Sequence, residues 1–189
     1  MSQKITAILL DIDGVSNVFH KHVFDHLGLH YPDDSAYPVE CGWDIVSAAN
    51  RLAGYDRFTP AGFWNSITRE LWASTPPSPE FGFIVGWAEA RVGKQNVHFL
   101  TSPTLSPDCL AGKLEWIQRC APKWMQRQFL IGPSKHLCAK PGALLIDDSD
   151  KNVAAFQEQG GTSLLVPRPW NSLHGRDPMS YLGEQFGRL

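Results

Sequence analysis

Four apolar residues, Ala7-Ile8-Leu9-Leu10, run directly into Asp11-Ile12-Asp13-Gly14. A short, uninterrupted apolar run closed by glycine reads as a strand buried on both faces. A turn after such a strand needs one polar residue, yet this chain places two carboxylates either side of a single isoleucine. Two acids that close repel each other unless positive charge lies nearby. This segment therefore fixes both a layered architecture and a place to look for chemistry.

Four further runs complete the pattern. Together with Ile5–Leu10 they are Val97–Leu100, Gln128–Ile131, Ala143–Ile146 and Thr162–Val166. Helical patterns separate the later ones. Ser106-Pro107-Asp108 is a helix start, with a capping hydroxyl, proline in the first turn and an acid beside it. Leu110, Leu114 and Ile117 recur at helical spacing and read as its buried face, and Pro122 ends the element. Ser149 opens another helix, with Val153 and Phe156 toward the core and Gly160-Gly161 as its stop. Strand and helix in alternation predict an α/β fold, a Rossmann-like parallel sheet between helical layers.

The first strand is the exception. More than 80 residues separate Gly14 from Val97 without a strand signal. "DIVSAANRLAGYDRFTPAGFWNSITRELW" reads as helices broken at Gly54 and Thr59-Pro60, and "STPPSPEFG" as a proline-rich hinge. The expected division is a core of residues 1–15 and 79–189 with a mostly helical cap at 16–78.

Composition narrows the function classes. With 189 residues, 43% of them hydrophobic, the chain can bury a substantial core. A formal net charge of −2 leaves no basic footprint for a nucleic-acid backbone. No segment approaches the roughly 18 apolar residues of a membrane span, and "MSQKITAILL" does not read as a signal peptide. Cys41, Cys109, Cys120 and Cys138 form no C-x-x-C pair. They read as reduced thiols, and the expected location is cytoplasmic.

Ligands of open parallel sheets bind beyond the carboxyl ends of the strands. Asp11 and Asp13 follow the first strand, Thr101 and Ser102 the second, and Asp147 and Asp148 the fourth. Lys135 lies near the third. Asp33-Asp34 shows what chance provides: a pair of acids in a loop with no strand before it. "LLDIDGV", "HFLTSP", Lys135 and "LLIDD" together resemble, in order, the four motifs of the haloacid dehalogenase-like phosphatase superfamily. The resemblance covers residues 4–16 and about 95–170, and "FLTSP" with "ALLIDD" is most similar to the 5'(3')-deoxyribonucleotidase group.

That resemblance implies a Mg²⁺-dependent phosphomonoester hydrolase. Asp11 would be the nucleophile that becomes an aspartyl-phosphate, and Asp13 the general acid and base. Mg²⁺ would be held by Asp11, the backbone carbonyl of Asp13, and Asp148, with Asp147 close behind; hard oxygen ligands suit that ion. Thr101, Ser102 and Lys135 would hold the phosphoryl oxygens. The lysine-to-Asp147 interval is about two residues longer than in the nucleotidases and includes Lys140. Lys135 is preferred, because Lys140 sits beside Pro141 and close to the strand. The expected partner is a small phosphorylated substrate, nucleoside 5'-monophosphates first. Another small phosphometabolite, a polynucleotide 3' end, or a non-catalytic binding role on the same fold remain alternatives.

Other signals weigh less. His22, His26 and His30 are spaced four apart, but Gly28 interrupts any helix and no H-E-x-x-H glutamate accompanies them. Phe19, Trp43, Phe63, Trp64 and Trp72 are expected mainly as core, with at least one touching substrate. Arg168, in "PRPWN", is expected either to reach an anionic substrate or to sit on the surface.

Overall fold

The computed structural model describes residues 4–189, so residues 1–3 of the expected core lie outside the described residues. In chain order the main elements are β1 (Ala7–Leu10), α1 (Phe19–His26), α2 (Ile45–Ala53), α3 (Pro60–Asn65), α4 (Arg69–Ser74), α5 (Phe81–Val92) and β2 (Val97–Thr101). These are followed by α6 (Pro107–Cys120), β3 (Phe129–Ile131), β4 (Ala143–Asp147), α7 (Asp150–Glu158), β5 (Thr162–Leu165) and α8 (Pro178–Phe186). The five strands are all parallel, in the order β3-β2-β1-β4-β5. The α/β, Rossmann-like sheet expected from the alternating pattern is present.

β1 and β4 are central neighbours, paired Ile8 with Leu144 and Leu10 with Ile146. Leu144, Leu145 and Ile146 are all fully buried, because helices cover both faces of the sheet. One face packs Ile8, Leu10, Phe99 and Ile146 against Phe81, Trp116 and Ile117. The other packs Leu9, Leu100 and Leu145 against Phe156. Val153, expected beside Phe156, is only half-buried.

Helix starts follow local chemistry. Ser106 accepts from Asp108 N at 3.2 Å ahead of Pro107, and Ser149 from Asn152 N at 3.4 Å. Thr59 and Asp44 cap α3 and α2 in the same way. Each such cap contributes about 1 kcal/mol by satisfying amides that the helix leaves open.

Helices α1 to α4 gather around a separate aromatic cluster that includes Phe19, Phe24, Tyr31, Tyr37, Phe63 and Trp72. Two crossing segments tie them to the sheet. Ser78 N donates to Ser16 O at 2.9 Å, Ser78 Oγ to Val15 O at 2.6 Å, and Val18 N to Pro76 O at 3.1 Å. A third tie is α4 against α6. Trp116 Nε1 donates to Thr75 O at 2.8 Å, and Arg69 Nε to Glu115 Oε1 at 2.9 Å.

The α4–α6 contact corrects the expected buried face of α6. Leu110 is exposed and Leu114 only half-buried; the buried residues are Cys109, Gly112, Lys113, Trp116 and Ile117. The reason is close backbone approach. A Cβ on Gly112 would lie 2.3 Å from Trp72 Cβ and 2.6 Å from Arg69 O. Only glycine lets the two helices meet, and this rotates the leucines outward.

Gly112→Ala is therefore expected to destabilise the protein by about 1–3 kcal/mol through overpacking. Urea unfolding checks this, and an unchanged midpoint would contradict the contact.

Candidate active site

The carboxyl ends of β1, β2 and β4 deliver the site. Asp11 directly follows β1, Thr101 ends β2 and Asp147 ends β4. Carboxylate oxygens of Asp11, Asp147 and Asp148 lie within 4.8 Å of one another, and all three residues are buried. Lys135, on a 3-10 turn at Lys135–Cys138, bridges the cluster. Its Nζ lies 2.7 Å from Asp11 Oδ2 and 2.7 Å from Asp147 Oδ2. Lys140 is exposed, so Lys135 is the lysine at the carboxylates.

The three acids differ in how well they are satisfied. Asp11 Oδ1 accepts from Ile12 N at 2.8 Å. Asp147 Oδ1 accepts from Ser149 N at 2.9 Å and Asn152 Nδ2 at 3.1 Å. Asp148 Oδ2 accepts from Trp170 Nε1 at 2.9 Å, but its buried Oδ1 has no partner. An unpaired buried carboxylate oxygen is costly. Burial, then the charges of Asp147 and Asp11, push Asp148 well above the usual carboxylate range. Burial also raises Asp147, with Lys135 pulling against it. For Lys135, burial alone would lower the pKa, but the charges of Asp11 and Asp147 outweigh it and hold it above the lysine range.

These observations fit a divalent cation. The donors are hard carboxylate oxygens, and Asp148 Oδ1 lacks only a positive partner. Gly14 keeps the space open: its φ is +76°, and a Cβ there would fall 1.9 Å from Asp148 Oδ2. His22, by contrast, contacts Ser74 Oγ at 3.0 Å, and His30 lies beyond the end of α1.

A cavity of about 580 Å³ opens over the cluster. Asp11, Asp13, Thr101, Ser102 and Lys135 line its floor, and Phe19, Trp43, Trp64 and Trp72 supply aromatic walls. Phe63 stays in the core of the helical insertion. Phe19 stacks on Trp72 with centroids 4.4 Å apart, while Trp43 keeps 48% of its surface exposed. A second concavity, about 650 Å³, is lined by residues of the insertion such as Glu40, Arg51 and Tyr55 and contains none of these site residues.

Two site residues sit differently from their strand-end neighbours. Asp13 Oδ2 pairs with Lys113 Nζ at 2.6 Å, and its Oδ1 accepts from Asn17 Nδ2 at 3.2 Å. Ser102 makes only a long hydroxyl contact, 3.5 Å to Gly132 O, and its carbonyl accepts from Lys113 Nζ at 2.6 Å. Arg168 is neither a substrate arm nor a surface group. It is buried, donating through Nε to Gly14 O at 2.6 Å and pairing with Glu80 at 3.0 Å. The chain's return past β5 thus braces the loop after β1 against the segment that re-enters α5.

Lys113, Trp170 and His20 carry no motif that marked them. Lys113 was visible only as a lysine four residues from Cys109 and from Ile117, on what proves to be the buried stripe of α6. Trp170 and His20 meet through tertiary packing, stacked with centroids 3.7 Å apart. Burial, then the charge of Arg168, lowers the His20 pKa to about 3, so its ring is neutral.

No protein-family model and no curated protein sequence matches the chain. Solved structures do. A haloacid dehalogenase-like family hydrolase from Xanthomonas campestris aligns with a TM-score of 0.52 at 13% identity, covering 100% of both chains. A HAD-superfamily hydrolase of subfamily IA from Geobacter sulfurreducens gives 0.52 at 13%, covering 98% of each. The HAD-hydrolase YfnB from Bacillus subtilis, bound to magnesium, gives 0.57 at 10%, covering 94% of this chain and 92% of that one. At such identities the likeness establishes the fold: this chain has the fold of haloacid dehalogenase-like hydrolases.

Two outcomes are expected. The raised carboxylate pKa values contribute stability below the ordinary value of 3.8, and that contribution is lost as pH rises through the raised values. A divalent cation bound at this cluster should therefore raise the melting temperature at neutral pH, by about 2.7 kcal/mol of stability at 100 Kd, and progressively less in acid. Asp148→Asn should remove that response while stabilising the metal-free protein; thermal melts with Mg²⁺ and with chelator check both. His20 has the opposite sign: between pH 6.5 and about 3 the unfolded chain takes a proton the folded one refuses. Stability should fall with pH there, and His20→Phe should flatten the slope by about 1.4 kcal/mol per pH unit. Urea unfolding between pH 7 and 5 measures it, and an unaltered slope would contradict the neutral buried ring.

Proposed function

We propose that the protein is a Mg²⁺-dependent phosphomonoester hydrolase that works through an aspartyl-phosphate on Asp11, with nucleoside 5'-monophosphates as the first substrates to test. The observation that carries this reading is the pairing of two different carboxylates at the end of β1. Asp11 is buried and held by Lys135 and Ile12 N. Asp13 is more open, with 18% side-chain exposure, and faces the same cavity.

The roles follow from that difference. An Asp11 carboxylate oxygen attacks phosphorus, and the bond from phosphorus to the ester oxygen breaks. The leaving oxygen keeps the electron pair and takes a proton from Asp13. Asp13 then removes a proton from the water that attacks the acyl-phosphate, and the phosphorus–Asp11 bond breaks to release phosphate. Lys135 and the Thr101 hydroxyl offer donors to the phosphoryl oxygens, whose charge grows more diffuse in the transition state. Asp11, the Asp13 carbonyl and Asp148 would hold Mg²⁺, which when bound supplies positive charge against the phosphoryl group and offsets the repulsion among the acids.

Dehalogenases share this fold, and one captured with an intermediate aligns at a TM-score of 0.57 and 9% identity, covering 100% of this chain and 99% of that one. A haloacid dehalogenase reading is the second possibility. It leaves Asp13 only its second task, activating water, because a halide leaves without a proton whereas an alkoxide needs one. The aromatic cavity walls favour a planar group on the leaving side, which supports nucleotides over sugar phosphates.

Phosphate release from deoxynucleoside monophosphates and sugar phosphates, with Mg²⁺ and with chelator, tests the reading. Halide release from a 2-haloacid is the competing assay. Asp11→Asn should lower the rate at least about 10³-fold and Asp13→Asn about 10²–10⁴-fold. Halide release by the wild-type protein, with no phosphate released from any of these esters, would replace phosphatase by dehalogenase.

A further inference from the structure

Lys113 is one of two buried lysines among the described residues, with 2% of its surface exposed, and the mechanism above does not use it. It projects from α6 into the cavity floor. Its Nζ donates to Thr101 Oγ1 at 2.8 Å, to Ser102 O at 2.6 Å and to Asp13 Oδ2 at 2.6 Å. An ammonium group has three protons, so all three are committed. The Trp72 ring, 5.2 Å away, flanks the same charge from the helical insertion.

Each contact has a consequence for the reacting groups. Lysine has no acceptor, so Thr101 Oγ1 must be the acceptor in that bond. The hydroxyl proton is then left for another partner, and among the described residues no protein group takes it. The Asp13 carboxylate is held at one oxygen by Lys113 and at the other by Asn17, facing the cavity. The Ser102 carbonyl fixes the turn that follows β2. Gly112, where α4 approaches α6 too closely for a Cβ, immediately precedes this lysine.

We infer that Lys113 is a positioning residue of the phosphoryl site: it fixes the Asp13 carboxylate and turns the Thr101 hydroxyl proton into the cavity, toward a phosphoryl oxygen. It is not a direct phosphate ligand, since its protons are already used. The inference rests on the phosphatase reading. It assigns to this chain a lysine outside the four strand-end motifs, placed by a helix whose buried face the hydrophobic pattern identified at Ile117 but not at Leu110 or Leu114.

A double-mutant cycle on the Mg²⁺-loaded protein tests it, with inorganic phosphate binding read by calorimetry alongside turnover. Lys113→Met keeps the buried stem and removes the charge. It should weaken phosphate binding about 10-fold when Thr101 is present, and less than about 2-fold in a Thr101→Val background. Turnover should fall more than the change in KM accounts for, because Asp13 is also released. Lys113→Arg keeps charge and bulk, but a planar fork cannot reproduce three converging donors. It should show the same coupling to Thr101, and it carries the test should the Met variant not fold. Effects that add independently in the two backgrounds would overturn the inference, as would phosphate bound equally well by wild type and Lys113→Met. A wild-type protein that binds no phosphate and hydrolyses no phosphomonoester would instead overturn the phosphatase reading, and the role of Lys113 with it.

Discussion

Three carboxylates cannot be buried within 4.8 Å of one another unless positive charge is buried with them. The bridge Lys135 makes between Asp11 and Asp147 is the constraint on which the rest of the site depends. Removing one partner from such a buried network typically costs about 3–5 kcal/mol, because a charge is left alone in an apolar surrounding. The lysine satisfies two of the acids and leaves Asp148 Oδ1 bare. The sheet therefore holds a local electrostatic deficit at its carboxyl edge, and that deficit is what makes the edge a candidate for a cation and an anionic substrate.

The surroundings keep that deficit in place. Gly14 admits the Asp148 carboxylate where any side chain would collide. Trp170 donates to the other oxygen of Asp148 and stacks on His20 from α1, so a cluster ligand and the helical insertion share one aromatic contact. Arg168 ties the loop after β1 to the segment re-entering α5. With α4 fastened to α6 across Gly112, the insertion is joined to the sheet layers at several independent points.

Stability and chemistry pull in opposite directions here. The raised pKa values of Asp147 and Asp148 mean that folding works against their charge at neutral pH. The cost is greatest at Asp148, whose Oδ1 has no partner, whereas at Asp147 the charge of Lys135 offsets part of it.

Much of this was legible in the sequence, for a definite reason. A strand buried on both faces leaves a continuous apolar run, and the residue that follows it in the chain also follows it in space. Asp11, Thr101, Asp147 and Asp148 could be placed beside one another because strand ends in a parallel sheet share one edge. The fold class came from the same signal. The sequence pattern failed where the environment of a residue is set by a partner distant in the chain. Leu110 and Leu114 looked buried and are exposed and half-buried, because the facing helix needs Gly112; Lys113, which no pattern marked, is buried on that same face. Arg168 finds its charge partner 88 residues away in Glu80, and His20 stacks on Trp170 from the other end of the chain. Local hydrophobic periodicity fixes which segments become strands and helices and which acids stand at their ends. Only tertiary packing decides which face of a helix turns inward, and with it which lysine reaches the site.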